Sequence, residues 1–231
     1  MADPVVVLEF GNEVPRRSFD GLLPPEVLER RVRIDPLGNP GLCANVEDID
    51  AQAEYWVHRL DALPEPPRTV LAYCSGARLA ASVAFRMNDA RLVLFDPVSL
   101  TADTVQEVFV ASVDTIAGGV PQDGVPFIAD MPPDRALVTA RSYIRKSALV
   151  AASDVPEDIL NALIEKQSTW LAFTLAASSP KPWEKCPDHV FLSAGMSWEE
   201  HPGTDVKRFD ISAVDLFHTN QVMHTLAPLL T

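Results

Sequence analysis

The sequence predicts an α/β fold in which a mostly parallel sheet of about six strands carries helices on both faces. Short apolar runs alternate with longer helical patterns through the first hundred residues. A block with helical patterns and no convincing strand follows, and strand patterns return before a C-terminal helix. Because alternating strands and helices are typical of parallel sheets with right-handed crossovers, we expect one domain over residues 1–231, with a helical insertion at about residues 100–185.

The predicted strands are short and rich in β-branched residues, and the predicted helices show apolar residues at helical spacing. The strands are Val5 to Phe10, Arg31 to Asp35, Thr69 to Tyr73, Arg91 to Phe95, His189 to Ser193 and Val206 to Ile211. The helices are Val46 to Leu63, Ser75 to Met87, Thr104 to Ile116, Asp134 to Ala151, Glu157 to Ala177 and Thr219 to Leu230. Three of these helices fall between the fourth and fifth strands, which predicts a lid.

Composition and charge narrow the possible partners. The net charge of -13 argues against nucleic acid and anionic membranes as broad partners. Arg135, Arg141, Arg145 and Lys146 are close enough in sequence to form a local basic patch, or simply a solvated helix face. We find no secretory leader, no apolar run near the roughly 20 residues of a membrane span, and no disulfide or zinc pattern among three cysteines. A cytoplasmic protein with free thiols is the expectation.

The segment Val70 to Ala77 predicts a nucleophile elbow, in which a strand turns sharply into a helix around one exposed side chain. The residues two before and two after the nucleophile must be small, because the helix packs closely against the strand. With Cys74 as nucleophile those positions are Ala72 and Gly76. With Ser75 as nucleophile one of them is Tyr73, which does not fit, so the pattern favours Cys74.

The chemistry of this position also favours Cys74. A thiol at a helix N-terminus experiences the partial positive charge of the helix end, which favours the thiolate. The backbone N–H of Ser75 is then the first expected donor of an oxyanion hole. We expect the second donor in the loop after the first strand, around Gly11 and Asn12. The alternative is that Cys74 is a small buried residue at a strand end.

A nucleophile of this kind needs a base and a group that orients the base. Among five histidines, His218 lies between the last predicted strand and the C-terminal helix, the loop that carries the base in α/β-hydrolases. His224 in the last helix is the reserve candidate, and a surface histidine is the alternative for His218.

Asp96 is the candidate acid, because it follows the fourth strand at the sheet edge where catalytic groups collect. The other usual acid position follows the fifth strand, where Ser193 to Ser197 offers no carboxylate. A turn cap before Pro97 is the alternative role for Asp96. The chain order Cys74, Asp96, His218 matches the nucleophile, acid, base order of α/β-hydrolases.

These features together resemble the thioesterases that release chains from polyketide and nonribosomal peptide synthetases. The matching parts are the first strand, the elbow, Leu92 to Asp96, the helical insertion and Phe217-His218-Thr219. The resemblance implies that an acyl or peptidyl chain passes from a carrier-protein phosphopantetheine thioester to Cys74. Water, or an amine or alcohol of the chain itself, would then release it by hydrolysis or cyclisation, without a metal or organic cofactor.

The chain departs from that family at specific positions. Cys74 replaces the usual serine, Ala72 replaces the first elbow glycine, and Phe217 stands where an aspartate or glycine-aspartate commonly precedes the histidine. A cysteine nucleophile also occurs in dienelactone hydrolases, which resemble this chain in size but place their acid after the next strand. A small lactone or ester hydrolase is therefore the second hypothesis, and a non-catalytic relative of the fold is the third.

Overall fold

The computed structural model describes residues 3–10, 17–43, 45–88, 90–119, 124–151, 155–199 and 201–230. The chain divides into two compact units. The first unit comprises Met1–Gly38, Ile49–Val98 and Lys181–Thr231, and the second comprises Asn39–Asp48 and Ser99–Pro180.

The first unit is built on a six-stranded sheet in the order β2-β1-β3-β4-β5-β6. Neighbouring strands pair in parallel throughout this sheet. The strands are β1 (Val5–Leu8), β2 (Arg31–Ile34), β3 (Thr69–Tyr73), β4 (Arg91–Phe95), β5 (His189–Leu192) and β6 (Asp205–Arg208). Parallel sheets are buried on both faces, which explains why β1, β3 and β4 are nearly continuous apolar runs. The predicted α/β architecture is confirmed.

Four helices belong to the first unit: α1 (Pro25–Leu28), α2 (Ile49–Leu60), α3 (Ala77–Arg86) and α7 (Asn220–Leu226). Helix α3 packs on β3 and β4, and α2 packs on α3. Short 3-10 turns lie at Phe19–Gly21, Pro36–Gly38, Cys74–Gly76, Asp215–Phe217 and Ala227–Leu229. These turns and α1 were not predicted, because a single turn carries too few residues to show a periodic pattern.

Several predicted boundaries were wrong by a few residues. The last helix ends at Leu226 rather than near Leu230, because Pro228 has no N–H to continue the helical hydrogen bonds. The last strand ends at Arg208 rather than Ile211, although the Ile211 carbonyl still accepts a hydrogen bond from the Ala194 N–H. The Phe209 N–H also donates to the Leu192 carbonyl over 2.8 Å, so hydrogen bonds to the β5 segment continue past the end of the regular strand.

The second unit contains α4 (Ala102–Ala117), α5 (Pro133–Ala151) and α6 (Glu157–Ala177), each of which packs on the other two. A 3-10 turn at Pro40–Cys43 also contacts α6. A capping box between Thr101 and Thr104 begins α4. None of the helices in the described part of the chain is long and apolar enough to span a membrane. The expectation that the helical block acts as a lid within one domain stays a prediction.

Candidate active site

The turn between β3 and α3 holds Cys74 in a left-handed backbone conformation. Tyr73 ends the strand with an extended backbone, Cys74 has a φ of 51°, and α3 follows after one 3-10 turn. This conformation brings the Cβ of an L-residue too close to its own carbonyl oxygen, at a cost of about 1–2 kcal/mol. Among the described residues, the non-glycine positions with a left-handed φ are Cys74, Asn88 and Asp96. Asn88 follows the end of α3, a common place for asparagine, whereas Cys74 and Asp96 need another explanation.

Small residues on either side of Cys74 let the helix approach the strand. A Cβ atom placed on Gly76 would lie 4.0 Å from the Ala72 Cβ and 3.5 Å from the Phe10 ring. The two positions that the elbow pattern requires to be small are therefore the two that face each other. Cys74 itself is half-buried, and Ser75 is buried. The role of the Ser75 N–H as an oxyanion donor stays a prediction, and Gly11 and Asn12 lie outside the described residues.

Asp96 lies at the end of β4, next to Cys74 at the end of β3. Tyr73 and Phe95 are paired across these two strands, and the Val98 N–H donates to the Cys74 carbonyl oxygen over 3.3 Å. Asp96 also has a left-handed φ, 42°, which turns the chain out of the sheet directly after the strand. Cys74 and Asp96 are therefore neighbours at one end of the sheet, while their roles as nucleophile and acid stay predictions.

The Asp96 carboxylate is buried and is held by the neighbouring strand. One oxygen accepts from the Ser193 N–H over 2.8 Å, and the other accepts from the Ser193 hydroxyl over 2.7 Å. Ser193 follows β5, so it occupies the alternative acid position that the sequence left without a carboxylate. Two hydrogen bonds to one buried carboxylate fix its plane. The role of Asp96 as the acid of the site stays a prediction. Ser193 was not predicted as a partner of Asp96, because the two residues are far apart in the sequence.

His218 follows the 3-10 turn Asp215–Phe217, and its imidazole is exposed. Its backbone N–H donates to the Asp215 carbonyl, which ends the turn. A Cβ atom placed on Gly21 would lie 3.4 Å from the His218 Nδ1 and 3.0 Å from the Phe217 carbonyl oxygen. The imidazole therefore lies against the backbone of the 3-10 turn that contains Gly21.

A cluster of buried aromatic rings connects the three candidate residues, and we call it the aromatic cluster. It consists of Phe19, Tyr73, Phe95 and Phe217. The Phe19 ring centroid lies 6.3 Å from Tyr73, 5.0 Å from Phe95 and 5.4 Å from Phe217. Phe217 also lies 5.5 Å from Tyr73 and 5.7 Å from Phe95.

Each candidate residue directly follows one ring of the aromatic cluster, in the pairs Tyr73-Cys74, Phe95-Asp96 and Phe217-His218. The cluster therefore ties the loop of His218 to the ends of β3 and β4. The recurring aromatic residue before each candidate was visible in the sequence and was not used there.

Tyr73 also contacts the end of β1 through its hydroxyl. Burial raises the pKa of Tyr73 to about 12, while the nearby Phe10 N–H acts in the opposite direction by favouring the phenolate. The Glu9 carboxylate raises this pKa further. The phenol thus stays neutral, with its hydroxyl beside the backbone N–H of Phe10.

The other histidines considered lie elsewhere in the fold. His189 begins β5, so it lies at the opposite sheet edge from Cys74, with its Nδ1 3.4 Å from an Asp205 carboxylate oxygen. His224 is exposed on α7 and His58 is exposed on α2. His218 remains the best-placed candidate base, because its neighbour Phe217 packs against the residues that precede Cys74 and Asp96.

Comparison with known proteins gives structural matches. No family model matches the chain, and no curated protein sequence matches it. An enol-lactonase from Burkholderia xenovorans LB400 superposes with a TM-score of 0.59 at 14% identity, covering 100% of this chain and 92% of that one. A hydrolase from Oleispira antarctica gives 0.55 at 12% identity, with coverages of 100% and 91%.

The Vlm2 thioesterase domain, solved with a bound dodecadepsipeptide, gives a TM-score of 0.52 at 12% identity, with coverages of 100% and 94%. These structures are α/β-hydrolase-fold enzymes, and the six-stranded parallel sheet of this chain matches theirs. The chain therefore has the α/β-hydrolase fold, as the sequence predicts.

Proposed function

We propose that the chain is a hydrolase-type enzyme, specifically a thioesterase that accepts an acyl or peptidyl chain from a carrier-protein phosphopantetheine thioester onto Cys74. The observation that carries this proposal is the backbone of two neighbouring strand ends. Cys74 and Asp96 both have left-handed φ angles there, and Asp96 is bound through both carboxylate oxygens. Strained non-glycine residues cluster at catalytic sites, where the surrounding structure maintains them for a chemical purpose.

Each candidate residue has a distinct role in this reaction. His218 takes the proton of the Cys74 thiol, and the sulfur attacks the carbonyl carbon of the substrate thioester. The Ser75 N–H, with a second N–H near Gly11, would stabilise the oxyanion. The carbon–sulfur bond to pantetheine then breaks, and the leaving thiolate takes the proton from His218. Asp96, held by Ser193, orients the imidazole and stabilises its positive charge.

In the second half-reaction His218 takes a proton from water, or from an amine or alcohol of the bound chain. This nucleophile attacks the acyl-Cys74 carbonyl, and the Cys74 sulfur leaves with the proton held by His218. Because the intermediate is itself a thioester, it stays more activated than a serine ester. Amines attack thioesters well, so we include cyclisation beside hydrolysis in the proposal. Both half-reactions use only side chains and backbone groups of the protein, together with the substrate and water.

The proposal is tested with a panel of acyl-N-acetylcysteamine thioesters. We expect a mass-shifted peptide containing Cys74, which disappears in Cys74→Ala and forms more slowly in His218→Ala. His58→Ala is the matched control, because it removes an exposed histidine on α2 that is not a candidate base. If no acyl adduct and no turnover occur with any thioester while the fold is intact, the thioesterase proposal is wrong. If every acyl chain in the panel yields free acid as its sole product, the cyclisation part of the proposal is wrong.

A small lactone or ester hydrolase is the second candidate, and the structural match to an enol-lactonase favours it. The two functions predict opposite substrate preferences. A thioesterase turns over thioesters with a higher kcat/KM than lactones of the same acyl size, and a lactonase does the reverse. A protein that is acylated by neither class would support a non-catalytic role.

The exposed face of α5 supports the carrier protein as partner. Arg135, Val138, Arg145 and Leu149 recur at helical spacing, so they share one face, and Lys146 lies beside it. Val138 and Leu149 are 67% and 60% exposed. Carrier domains are generally acidic, so a face that joins three cations with apolar side chains complements them even though the chain carries a net charge of -13.

Charge reversal tests this surface. Arg145→Glu should raise KM for a carrier-bound thioester severalfold and leave KM for the N-acetylcysteamine thioester unchanged. Arg68→Glu makes the same charge change at a residue whose side chain is 78% exposed, and it should affect neither substrate. Equal carrier KM values in the wild type and Arg145→Glu would refute the docking surface while leaving the chemistry at Cys74 untouched.

A further inference from the structure

We propose that the segment Ser18–Gly21, which contains the 3-10 turn Phe19–Gly21, positions the His218 imidazole. The buried Glu9 carboxylate holds this turn in place. The inference rests on the proposed role of His218 as base. It adds three positioning residues, Glu9, Phe19 and Gly21, that neither the elbow pattern nor the triad order identifies.

The first step is the attachment of the turn to the sheet. Glu9 directly follows β1 and is 3% exposed. One of its carboxylate oxygens accepts from the Phe19 N–H over 2.7 Å and from the Ser18 hydroxyl over 3.2 Å. The other oxygen pairs with the Arg33 guanidinium over 3.1 Å. A buried carboxylate is retained only when such partners compensate its lost hydration, so Glu9 fixes the turn firmly.

The second step is the insertion of the turn into the core. The Phe19 side chain is fully buried at the centre of the aromatic cluster, in edge contact with Phe95 and Phe217. The Phe19 carbonyl closes the turn by accepting from the Leu22 N–H over 2.9 Å. Phe19 therefore links two segments: its N–H binds Glu9 at the end of β1, and its ring packs against Phe217 in the loop that carries His218.

The third step is the contact with the imidazole itself. At Gly21 an added Cβ would lie 3.0 Å from the Phe217 carbonyl oxygen and 3.4 Å from the His218 Nδ1. Gly21 does not have a left-handed φ, so its own backbone conformation is open to alanine. An alanine methyl group would instead press on the Phe217 carbonyl oxygen and would touch the His218 imidazole, so one of these neighbours would have to shift by a few tenths of an ångström. The glycine is thus explained by the close approach of the Phe217–His218 segment, whose position the turn limits on one side.

Gly21→Ala tests the proposal directly. It should lower kcat for N-acetylcysteamine thioesters about ten- to a hundredfold with KM unchanged, because a small displacement of a base from its reacting atom costs that much. Gly38→Ala is the matched control, since its Cβ would meet Asp35 at 3.6 Å and Trp56 at 3.8 Å, which is ordinary contact. Wild-type kcat in Gly21→Ala, or equal losses in Gly21→Ala and Gly38→Ala, would overturn the positioning role.

A second measurement separates positioning from the choice of substrate. The rate of Cys74 alkylation by iodoacetamide, followed against pH, reports whether a histidine controls the thiol, and it needs no thioester. We expect Gly21→Ala to shift this profile toward that of His218→Ala. If the profile shifts but no thioester is turned over, the thioesterase proposal is wrong and the positioning proposal stands. An unshifted profile would overturn the positioning proposal alone.

The Glu9 contact is tested by graded substitutions. Glu9→Gln keeps a carbonyl oxygen as acceptor for the Phe19 N–H, whereas Glu9→Ala removes it. We expect Glu9→Gln to retain most of kcat and of the wild-type alkylation profile, and Glu9→Ala to lose both. Equal kcat in folded Glu9→Ala and wild type would overturn the role of Glu9. If Glu9→Ala does not fold, Glu9→Asp decides, because its carboxylate is one methylene group farther from the Phe19 N–H. A wild-type kcat and alkylation profile in Glu9→Asp would overturn the role of Glu9.

Discussion

Replacing Cys74 by glycine should make the protein more stable than replacing it by alanine. Both variants lack the thiol, so they differ only in the Cβ atom that the left-handed φ of 51° disfavours. Removing that Cβ relieves about 1–2 kcal/mol of strain. The glycine loses about 0.5–1 kcal/mol through the greater freedom of its unfolded chain. We therefore expect Cys74→Gly to be more stable by about 0.5–1 kcal/mol.

Ser75 supplies the matched control for this prediction, because its φ is not left-handed. There the glycine variant should be less stable than the alanine variant by about 0.5–1 kcal/mol. The difference between the two pairs isolates the strain at Cys74, about 1–2 kcal/mol.

Urea denaturation of the four variants measures these free energies of unfolding, provided that the m values agree. In a domain of this size each kcal/mol also moves Tm by about 2–4 °C. If glycine is less stable than alanine by the same amount at both positions, Cys74 carries no strain. The principal support for an elbow at Cys74 would then be lost.

Three further predictions test the surroundings of the candidate site. Ser193→Ala removes a hydroxyl donor from the buried Asp96 carboxylate and should lower the free energy of unfolding by about 1.5–3 kcal/mol. Ser193→Thr keeps a hydroxyl group and should retain most of the wild-type stability. Equal urea midpoints for Ser193→Ala and wild type would contradict this prediction. Because the pKa of Tyr73 is raised to about 12, the folded state retains the phenol proton that the unfolded chain loses near pH 10. The free energy of unfolding should therefore fall as pH rises from about 10 toward 12. In Tyr73→Phe the urea midpoint should fall less over this pH range than in the wild type. If the midpoints of the two proteins fall in parallel with pH, the prediction is wrong. At Gly76 an added Cβ meets only ordinary contacts, so the free energy of unfolding of Gly76→Ala should lie within about 1 kcal/mol of the wild-type value. Gly76→Val should lower this free energy by about 1–3 kcal/mol, because the larger side chain overpacks the site. A greater loss in the alanine variant would show that the elbow is packed more tightly than these distances indicate.

The parts of the fold that the sequence predicts best are those that depend on local pattern. Strands β3 and β4 have the predicted bounds, because each is a continuous apolar run that ends at a residue with a special backbone, Cys74 or Asp96. Helix α6 also has its predicted bounds, since Pro156 precedes it and a long periodic pattern fills it. Where the pattern is short or lies at the sheet edge, as in β6, the prediction of the boundary was wrong.

Contacts between distant segments could not be predicted from the same pattern. Asp96 and Ser193 are 97 residues apart, and they meet because β4 and β5 are neighbours in the sheet. From the sequence, the Ser193 segment was an alternative place for the acid, and a hydrogen bond between the two positions was not predicted. Strand order decides such contacts, and single-sequence periodicity contains little information about it.

The aromatic residue before each candidate has a physical reason that follows from strand geometry. The sheet is buried on both faces, so the last residue of each strand is the last side chain that packs in the core before the chain turns out of the sheet. Tyr73 and Phe95 fill those positions in neighbouring strands, and Phe217 packs against both from the loop of His218. The three backbones that carry Cys74, Asp96 and His218 are thus fixed by one set of ring contacts. A substitution at Phe217 would therefore disturb the core and the candidate site together. Gly21→Ala leaves every ring of the aromatic cluster in place and adds one methyl group beside the Phe217 carbonyl oxygen and the His218 imidazole, so it separates positioning from stability better.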